Sequence, residues 1–431
     1  MAELHSVIEP RERAILVGAP PRSLPLAVAE DHLDELARLA DTAGVEVVDR
    51  LLQRIDRPHP KFYIGEGKVE ELKARIAAHG ATLLLFDEDL SPAQGKHLED
   101  ATGTRVMDRT ELILDIFATR ARTAEAQLQV ELAQLQYLRT RLTRMWAHLS
   151  RIRGGVGMRG PGETQLETDR RLIDRRIARL RRELVRVAQQ RATQRKARRG
   201  LFRAALVGYT NAGKSSILRG LAGDPSIFVE DRLFATLDAT TRAVELGPGA
   251  RILLTDTVGF IRKLPPHLVA SFRSTLDEAR EADLLLHVLD VSDPTWEEQK
   301  EVVDQVLADL GLDERPRLLV ANKIDRLDPQ TLAQWKHRAQ SFAHPAVFVS
   351  ARQPGGLEPL REALHEAWAR QRPEREGVVP LARGDLLAEL YRVGEVLDRR
   401  DEDGMVRVRV RLPAAEQGRL ERHGVRWTDS E

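Results

Sequence analysis

The chain has 431 residues, of which 42% are apolar, and its formal net charge is only +1. This length predicts about two to four domains, and the apolar content argues against a disordered chain. Because the chain has no cysteine, disulfides and thiolate metal sites are excluded, and a reducing cytoplasm is the expected location. Runs of about 18 apolar residues are absent, so we expect no membrane span.

Short apolar runs alternate with helical patterns in residues 1–120. The segments RAILVG, GVEVVDRL, FYIG and TLLLFD have the composition of buried strands. Helices are predicted over residues 31–42 and 68–79. Such alternation is typical of parallel α/β units, so an amino-terminal α/β domain is expected here. The stretch IGEGKV lacks a complete phosphate loop, which favours a tight turn.

Residues 121–199 are predicted to form a long antiparallel helical hairpin. Each helix has one narrow apolar seam. The tip of the hairpin is the stretch RIRGGVGMRGPGETQ, which holds five glycines and three arginines. Acids within residues 163–169 suit the first turn of the second helix. The seam residues are Leu128, Leu132, Leu135, Leu142, Trp146 and Leu149, then Ile173, Ile177, Leu180, Leu184 and Val187.

The second helix of the hairpin is strongly basic. Residues 170–199 contain thirteen Lys or Arg against two acids, a net charge of +11, which leaves −10 for the rest of the chain. A local basic block on an otherwise acidic protein favours a polyanion site. Such an array favours binding to RNA phosphates, because the contacts release condensed counterions. The alternative is a solvated helix that pairs with acids elsewhere.

Residues 200–371 are predicted to form a doubly wound α/β domain. RAALVG, RILLTDT, LLLHVLD, RLLVANK and AVFVS are apolar runs of strand length, and most are followed by helical segments. The first run precedes GYTNAGKS, which matches the phosphate loop G-x-x-x-x-G-K-[ST]. Lys214 is expected at the β- and γ-phosphates, and the Ser215 hydroxyl at Mg²⁺. The helix N-terminus would face the phosphates.

Three shorter motifs follow in chain order, each after a strand. In DTVGF, Asp256 can hold a Mg²⁺ water and the Gly259 N–H can meet the γ-phosphate. In NKID, the Asp325 carboxylate can accept from guanine N1–H and the 2-amino group, which adenine lacks. The backbone at Ser350 and Ala351 can reach guanine O6. Together the motifs indicate a GTPase.

Two positions near these motifs are less clear from the residues alone. FATLDATTR should provide a threonine to Mg²⁺ and the γ-phosphate, and Thr236, Thr240 and Thr241 all compete for this role. Phe260 stands where related switches carry a water-orienting glutamine. Because a phenyl ring cannot orient water, we expect slow hydrolysis that a partner accelerates.

The last region, residues 372–431, is predicted to be a small α+β domain. RPERE is interpreted as a linker, and a helix is expected over residues 385–397. MVRVRVRL alternates and predicts a strand with Arg407, Arg409 and Arg411 on one face. We interpret this as an exposed strand face or a charged edge that resists aggregation, with RNA contact as the alternative.

The combination of motifs resembles the HflX family of ribosome-associated GTPases. The matching stretches are KFYIGEGKVEEL, RGPGETQLETDRR, GYTNAGKSS, LFATLD and DTVGFIRKLP. The resemblance implies an amino-terminal α/β domain (1–120), a helical hairpin (121–199), a G domain (200–371) and a small terminal domain (372–431). It also implies GTP as substrate, Mg²⁺ as cofactor, and Thr236 as a metal ligand beside Ser215. Asn211 occurs in potassium-activated relatives, which makes K⁺ a candidate cofactor.

The resulting site prediction combines the motifs with the resemblance. Catalysis is expected to involve Lys214, Thr236 and Gly259, and Mg²⁺ is expected to bind Ser215, Thr236 and Asp256. The nucleotide-contacting residues are expected to be Gly208, Tyr209, Thr210, Asn211, Ala212, Gly213, Lys214, Ser215, Phe234, Ala235, Thr236, Leu237, Asp238, Asp256, Thr257, Val258, Gly259, Asn322, Lys323, Ile324, Asp325, Ser350, Ala351 and Arg352.

The resemblance also implies partners. The expected partner is the large ribosomal subunit, with ribosomal RNA contacted by the basic hairpin between Arg151 and Arg199; neither DNA nor a membrane is expected, and the protein is expected to be a monomer. Family members are implicated in separating stalled ribosomes. The alternative function is a ribosome-assembly factor for the large subunit, in which GTP hydrolysis acts as a timer.

Overall fold

The computed structural model describes residues 11–152, 161–196, 201–230, 232–265, 268 and 278–428. The chain divides into two compact units. The first comprises Met1–Ala188, Arg232–Phe234 and Lys263–Arg273, and the second comprises Gln189–Asp231, Ala235–Arg262 and Ser274–Glu431. Among the described residues, every helix is too short or too polar to cross a bilayer.

The first unit contains a parallel sheet of four strands: β1 (Arg13–Gly18), β2 (Glu46–Leu52), β3 (Leu83–Phe86) and β4 (Arg105–Asp108). The strand order is β2-β1-β3-β4. Helices α1 (Leu26–Thr42) and α4 (Arg109–Arg120) pack together, as do α2 (Glu66–His79) and α3 (Pro92–Thr102). Because helices cover the sheet, β3 is apolar at all four positions. The predicted α/β class is confirmed.

The prediction of a strand at FYIG is wrong. Tyr63 has a left-handed φ of 66°, and it forms only an isolated bridge with His59. A left-handed residue interrupts the extended backbone, and residues 60–62 form a turn rather than a strand. IGEGKV is also not a free-standing tight turn, because Gly65 is the N-cap of α2, which begins at Glu66.

A long helical pair follows, α5 (Ala124–Ile152) and α6 (Pro161–Lys196). Leu132, Ile177 and Leu180 form its buried core, and the predicted seam residues Leu128, Leu135, Ile173 and Leu184 pack against them. Ion pairs join Glu131 of α5 to Arg176 of α6 and Arg139 of α5 to Asp174 of α6. The later residue of α5 thus pairs with the earlier residue of α6. This is the antiparallel arrangement that the two seams predict. Residues 153–160 of the glycine-rich tip, and the side chains of Leu142, Trp146 and Leu149, lie outside the described part of the chain.

The second unit begins with a six-stranded sheet of order β10-β9-β8-β5-β7-β6. All neighbours are parallel except β6 and β7. The antiparallel edge strand β6 was not predicted, because its alternation is weak. The strands are β5 (Phe202–Gly208), β6 (Thr240–Gly247), β7 (Ala250–Asp256), β8 (Leu284–Asp290), β9 (Arg317–Asn322) and β10 (Ala346–Phe348), and the helices are α7 (Lys214–Ala222), α8 (Trp296–Asp309), α9 (Pro329–Ala339) and α10 (Glu358–Arg370).

The chain ends in an antiparallel sheet of order β12-β13-β11-β14. Three predictions fail here. RPERE is not a linker, since β11 begins at Glu374 and pairs with β13; the expected helix ends at Val393, and Glu395 starts β12. β13 is a central strand, so the charged-edge interpretation is also wrong. The elements are β11 (Glu374–Pro380), α11 (Gly384–Val393), β12 (Glu395–Glu402), β13 (Met405–Arg411), α12 (Ala414–His423) and β14 (Arg426–Thr428).

Candidate nucleotide site

The predicted phosphate loop joins β5 to α7. Gly213 has a φ of 100°, and a Cβ there would lie 2.2 Å from Asn322 Nδ2. Only glycine therefore fits at this position. Lys214 Nζ donates to the carbonyl oxygens of Gly208 (3.1 Å) and Tyr209 (2.8 Å), and burial lowers its pKa to about 8. The loop thus curls around the lysine head, with the N-terminus of α7 beside it.

Three oxygen-bearing side chains meet at one point beside the loop. Ser215 Oγ donates to Asp256 Oδ2 at 2.6 Å and lies 2.7 Å from Thr236 Oγ1. Asp256 is buried, which raises the pKa of its carboxyl group, and its Oδ1 has no hydrogen-bond partner. A buried carboxylate with an unused oxygen next to two hydroxyls fits Mg²⁺, which prefers oxygen ligands. The predicted metal residues are therefore adjacent.

Thr236 is the one competing threonine that reaches this point. Thr240 and Thr241 lie in β6, where Thr241 Oγ1 is 2.9 Å from Thr255 Oγ1. Thr240 Oγ1 donates instead to the carbonyl oxygen of Asp238 at 3.4 Å, so the contacts of both threonines differ from the contact that Thr236 makes with Ser215. The choice of Thr236 that the resemblance implied therefore agrees with the geometry.

The segment after β7 lies directly against the phosphate loop. Phe260 N–H donates to Gly208 O (3.0 Å), and Thr210 N–H donates to Phe260 O (2.7 Å). A Cβ on Gly259 would lie 2.7 Å from Thr210 Cα and 2.9 Å from Lys214 Nζ. The Phe260 ring is buried. The backbone of this segment, rather than its side chains, therefore faces the predicted γ-phosphate position.

The predicted guanine-binding loops are tied together by hydrogen bonds. Asn322 Nδ2 donates to Ala212 O at 2.9 Å, and its Oδ1 accepts from Ala351 N–H at 3.2 Å. Ser350 Oγ donates to Asp325 Oδ1 at 2.6 Å. These contacts place three motifs that are far apart in sequence around one cleft at the carboxyl ends of the strands, where ligands of open α/β sheets bind.

Phe234 is placed differently from the other predicted residues. Its buried ring packs edge-to-face on Phe117, with ring centroids 4.5 Å apart, within the first unit. This geometry favours a packing role over a nucleotide contact. Leu237 and Val258 are also buried apolar side chains, so any contact they make with nucleotide would use the backbone.

Asp290, at the edge of the cleft, was missed from the sequence. It ends the buried strand β8, and its Oδ2 forms an ion pair with Lys323 Nζ at 2.6 Å. Lys323 itself has a left-handed φ of 66°. An acid at the carboxyl end of LLLHVLD was the available signal, because the carboxyl ends of neighbouring parallel strands share one edge.

Three family models match the chain in succession. They are described as GTP-binding GTPase N-terminal (residues 30–118), GTP-binding GTPase Middle Region (residues 120–198) and 50S ribosome-binding GTPase (residues 203–323). The matched ranges leave residues 324–431 outside these models.

Curated relatives extend the similarity over nearly the whole chain. GTPase HflX of Magnetococcus marinus is 44% identical over 421 residues, which cover 96% of each chain. GTPase HflX of Escherichia coli is 44% identical over 393 residues, 90% of this chain and 92% of the relative. The solved complex of SsGBP with GDP covers 83% of this chain and 99% of its own at 25% identity, with a TM-score of 0.47. The nucleotide motifs meet in one cleft, and the chain is 44% identical to curated HflX proteins over nearly its full length. The chain therefore belongs to the HflX family of GTPases.

Proposed function

We propose that this GTPase binds the large ribosomal subunit in its GTP-bound state and separates stalled ribosomes into subunits. The observation that carries the proposal is the exposed arginine surface of α6, on a chain that also holds a GTPase cleft. Arg175, Arg181, Arg182 and Arg186 are exposed along this helix. Exposed guanidinium groups in such density suit RNA phosphates and splayed bases. The family model over residues 203–323 names a ribosome-binding GTPase, which supports the same partner.

The proposed reaction is hydrolysis of GTP to GDP and phosphate. Lys214 would bind the β- and γ-phosphates, the backbone at Gly259 would contact the γ-phosphate, and Asp325 would select guanine. Ser215, Thr236 and Asp256 would hold Mg²⁺, which neutralises charge developing on the phosphates. K⁺ near Asn211 belongs to the same proposal, as do the four domains with the boundaries given above and a cytoplasmic monomer.

Sedimentation with purified ribosomes tests the ribosome proposal. We expect co-sedimentation with large subunits in a non-hydrolysable GTP analogue and much weaker association in GDP. Assembled ribosomes incubated with the protein and GTP should yield free subunits without other factors. If assembled ribosomes stay intact while immature large subunits are bound, the assembly-factor function is supported instead.

Single-turnover hydrolysis tests the role of the partner. The buried Phe260 ring cannot orient the attacking water, so the isolated protein should turn over GTP slowly. Added large subunits should raise the rate by at least about tenfold, because a partner must complete the site. Fast hydrolysis by the protein alone would reject this part of the proposal.

A further inference from the structure

The carboxyl-terminal elements form a β-α-β-β-α-β sequence. The strand order is β12-β13-β11-β14, so the first strand, β11, lies between the third and the fourth. All neighbouring strands are antiparallel. Both helices use one face of this sheet. Leu386 and Leu390 of α11 and Leu420 of α12 share a buried core with Val406 and Val408 of β13. Among the described residues, neither α11 nor α12 lies on the other face, which carries the exposed Arg407 and Arg409 of β13.

The open face carries a row of arginines across the sheet. Strand register places Arg400 of β12 beside Arg407 of β13, Arg407 beside Val378 of β11, and Val378 beside Arg426 of β14. All three arginines are exposed, and Val378 is half-buried between them. We call these four residues the arginine row. Because adjacent strands are about 4.8 Å apart, the row spans the full width of the sheet.

The charges beyond the arginine row are largely compensated within the sheet. Glu374 pairs with Arg409 (3.1 Å) and Arg411 (3.7 Å), and Glu395 pairs with Arg411 (3.4 Å). Glu395 also lies 3.0 Å from His365 Nε2 of α10. The arginine row itself contains no acid, although Arg400 contacts Asp398 in the neighbouring row at 3.1 Å. Glu376 of the adjoining row is exposed on the same face, but among the described residues Arg407 and Arg426 form no ion pair, so their guanidinium groups are available to a ligand.

We propose that this open face is a second RNA-binding surface, in which the arginine row contacts the phosphates of a single-stranded segment. RNA-recognition domains bind single strands on the face of a four-stranded sheet by stacking bases on aromatic side chains, and the guanidinium planes of arginine also stack on bases. Arginine suits phosphate oxygens through its planar fork of donors. A protein partner would favour a core of large apolar or aromatic side chains, and the row offers only Val378. The surface lies outside the ranges of the three family models.

The test compares two double variants of the full-length protein with equal net charge. Arg407→Glu/Arg426→Glu reverses the arginine row. Arg392→Glu/Arg422→Glu reverses exposed arginines on α11 and α12, on the helical side. Binding of a short single-stranded RNA is measured over a salt series. The row variant should bind at least about tenfold more weakly at low salt. Its slope of log affinity against log salt should fall by about 1.4, since each phosphate contact contributes about 0.7.

Ultraviolet crosslinking in the same complexes separates this surface from the hairpin. Crosslinked peptides from the strands, residues 374–380, 395–411 or 426–428, support the proposal, whatever the outcome of the ribosome-splitting assay. Equal RNA affinity and slope for both double variants would overturn it. It would also be overturned if the row variant kept its RNA affinity but lost binding to intact large subunits, because the face would then read an acidic protein. Melting and basal GTP hydrolysis should match the wild type, and Arg407→Gln/Arg426→Gln gives the same readout if the reversal unfolds the domain.

Discussion

The Asp325 carboxylate is positioned for its expected contact by Ser350, whose hydroxyl donates to it at 2.6 Å. NKID alone shows that a carboxylate follows a strand, but it does not show that a second loop holds this carboxylate. Asn322 is held in the same way by Ala212 and Ala351. A group fixed before binding loses less entropy when the base arrives. The predicted guanine-binding end of the cleft is thus preorganised by side-chain hydrogen bonds.

Replacing Asp325 should change the base that the protein accepts. Asp325→Asn removes the charge and places an amide donor against a guanine donor. We expect GTP affinity to fall by about 3 kcal/mol, roughly a hundredfold, since hydrogen bonds to charged groups are worth about 1.5–3 kcal/mol each. Xanthosine triphosphate, which has a carbonyl where guanine has its 2-amino group, should bind to Asp325→Asn better than GTP does. Nucleotide titration measures both, and Asp328→Asn at the N-cap of α9 is the control. Unchanged GTP affinity in Asp325→Asn would contradict the assignment.

Phe260 is buried, with 2% of its surface exposed, so a glutamine there should not restore water orientation. Phe260→Gln replaces a packed ring by an amide that needs hydrogen bonds. It should lower the free energy of unfolding by about 3 kcal/mol and leave basal GTP hydrolysis no faster. Phe228→Gln is the comparison, because Phe228 is 47% exposed and should cost less than about 1 kcal/mol. A tenfold gain in hydrolysis by Phe260→Gln would show that the side chain can reach the water.

At the scale of single elements, the helical pair α5–α6 depends on a narrow seam. Arg176 forms a bidentate pair with Glu131 through Nε and Nη2 at 2.6 and 2.7 Å, but both side chains are about 40% exposed. Exposed ion pairs contribute little to stability because solvent screens them, whereas truncating a fully buried leucine costs about 2–5 kcal/mol. We therefore expect the apolar seam, rather than the ion pairs, to hold the two helices together.

The seam can be tested with two leucines of the same helix. Leu180 is fully buried and Leu172 is 55% exposed. Leu180→Ala should destabilise the pair by about 2–5 kcal/mol, while Leu172→Ala should cost under about 0.5 kcal/mol. Hydrogen exchange of amides in residues 124–141 and 170–188 reports the local opening free energy. Equal protection in the two variants would mean that α5 and α6 do not pack as described.

For the whole molecule, the distribution of charge matters more than its sum. A formal net charge of +1 predicts little attraction to RNA, yet α6 alone presents a dense row of arginines. Arg176 and Arg179 are engaged by Glu131 and Glu183, so part of the basic surface is compensated within the hairpin. Counterion release depends on the local array. Binding should therefore be far more salt-sensitive than the net charge suggests.

The contribution of the exposed arginines of α6 to RNA binding can be predicted quantitatively. Arg175→Gln/Arg181→Gln/Arg182→Gln removes three exposed charges from α6. The slope of log affinity for ribosomal RNA against log salt should become shallower by about 2 to 3, because each lost contact contributes about 0.7 for a single strand and about 0.9 for a duplex. Filter binding over a salt series measures this slope. Arg392→Gln, on α11, serves as the control. If the triple substitution leaves the slope unchanged, α6 is not part of the RNA interface.

The elements that are predictable from sequence are those whose local chemistry is strict. A phosphate loop needs glycine at a left-handed position and a lysine beside the following helix, so GYTNAGKS is recognisable from its residue types and spacing alone. The buried strands of both parallel sheets are recognisable because they are apolar at nearly every position. In contrast, FYIG has strand composition but contains a left-handed tyrosine, and RPERE is polar yet pairs with β13. In both cases contacts with residues outside the segment decide the outcome.

The sequence by itself determined that this protein is a GTPase of mixed α/β class with a basic helical hairpin, because these properties depend on residue types at short spacings. Only the tertiary structure decided which threonine joins Ser215 and Asp256, that Asp290 pairs with Lys323, and that Arg400, Arg407 and Arg426 form one row. Those outcomes depend on strand order and register, since residues far apart in the chain become neighbours only when the sheets assemble.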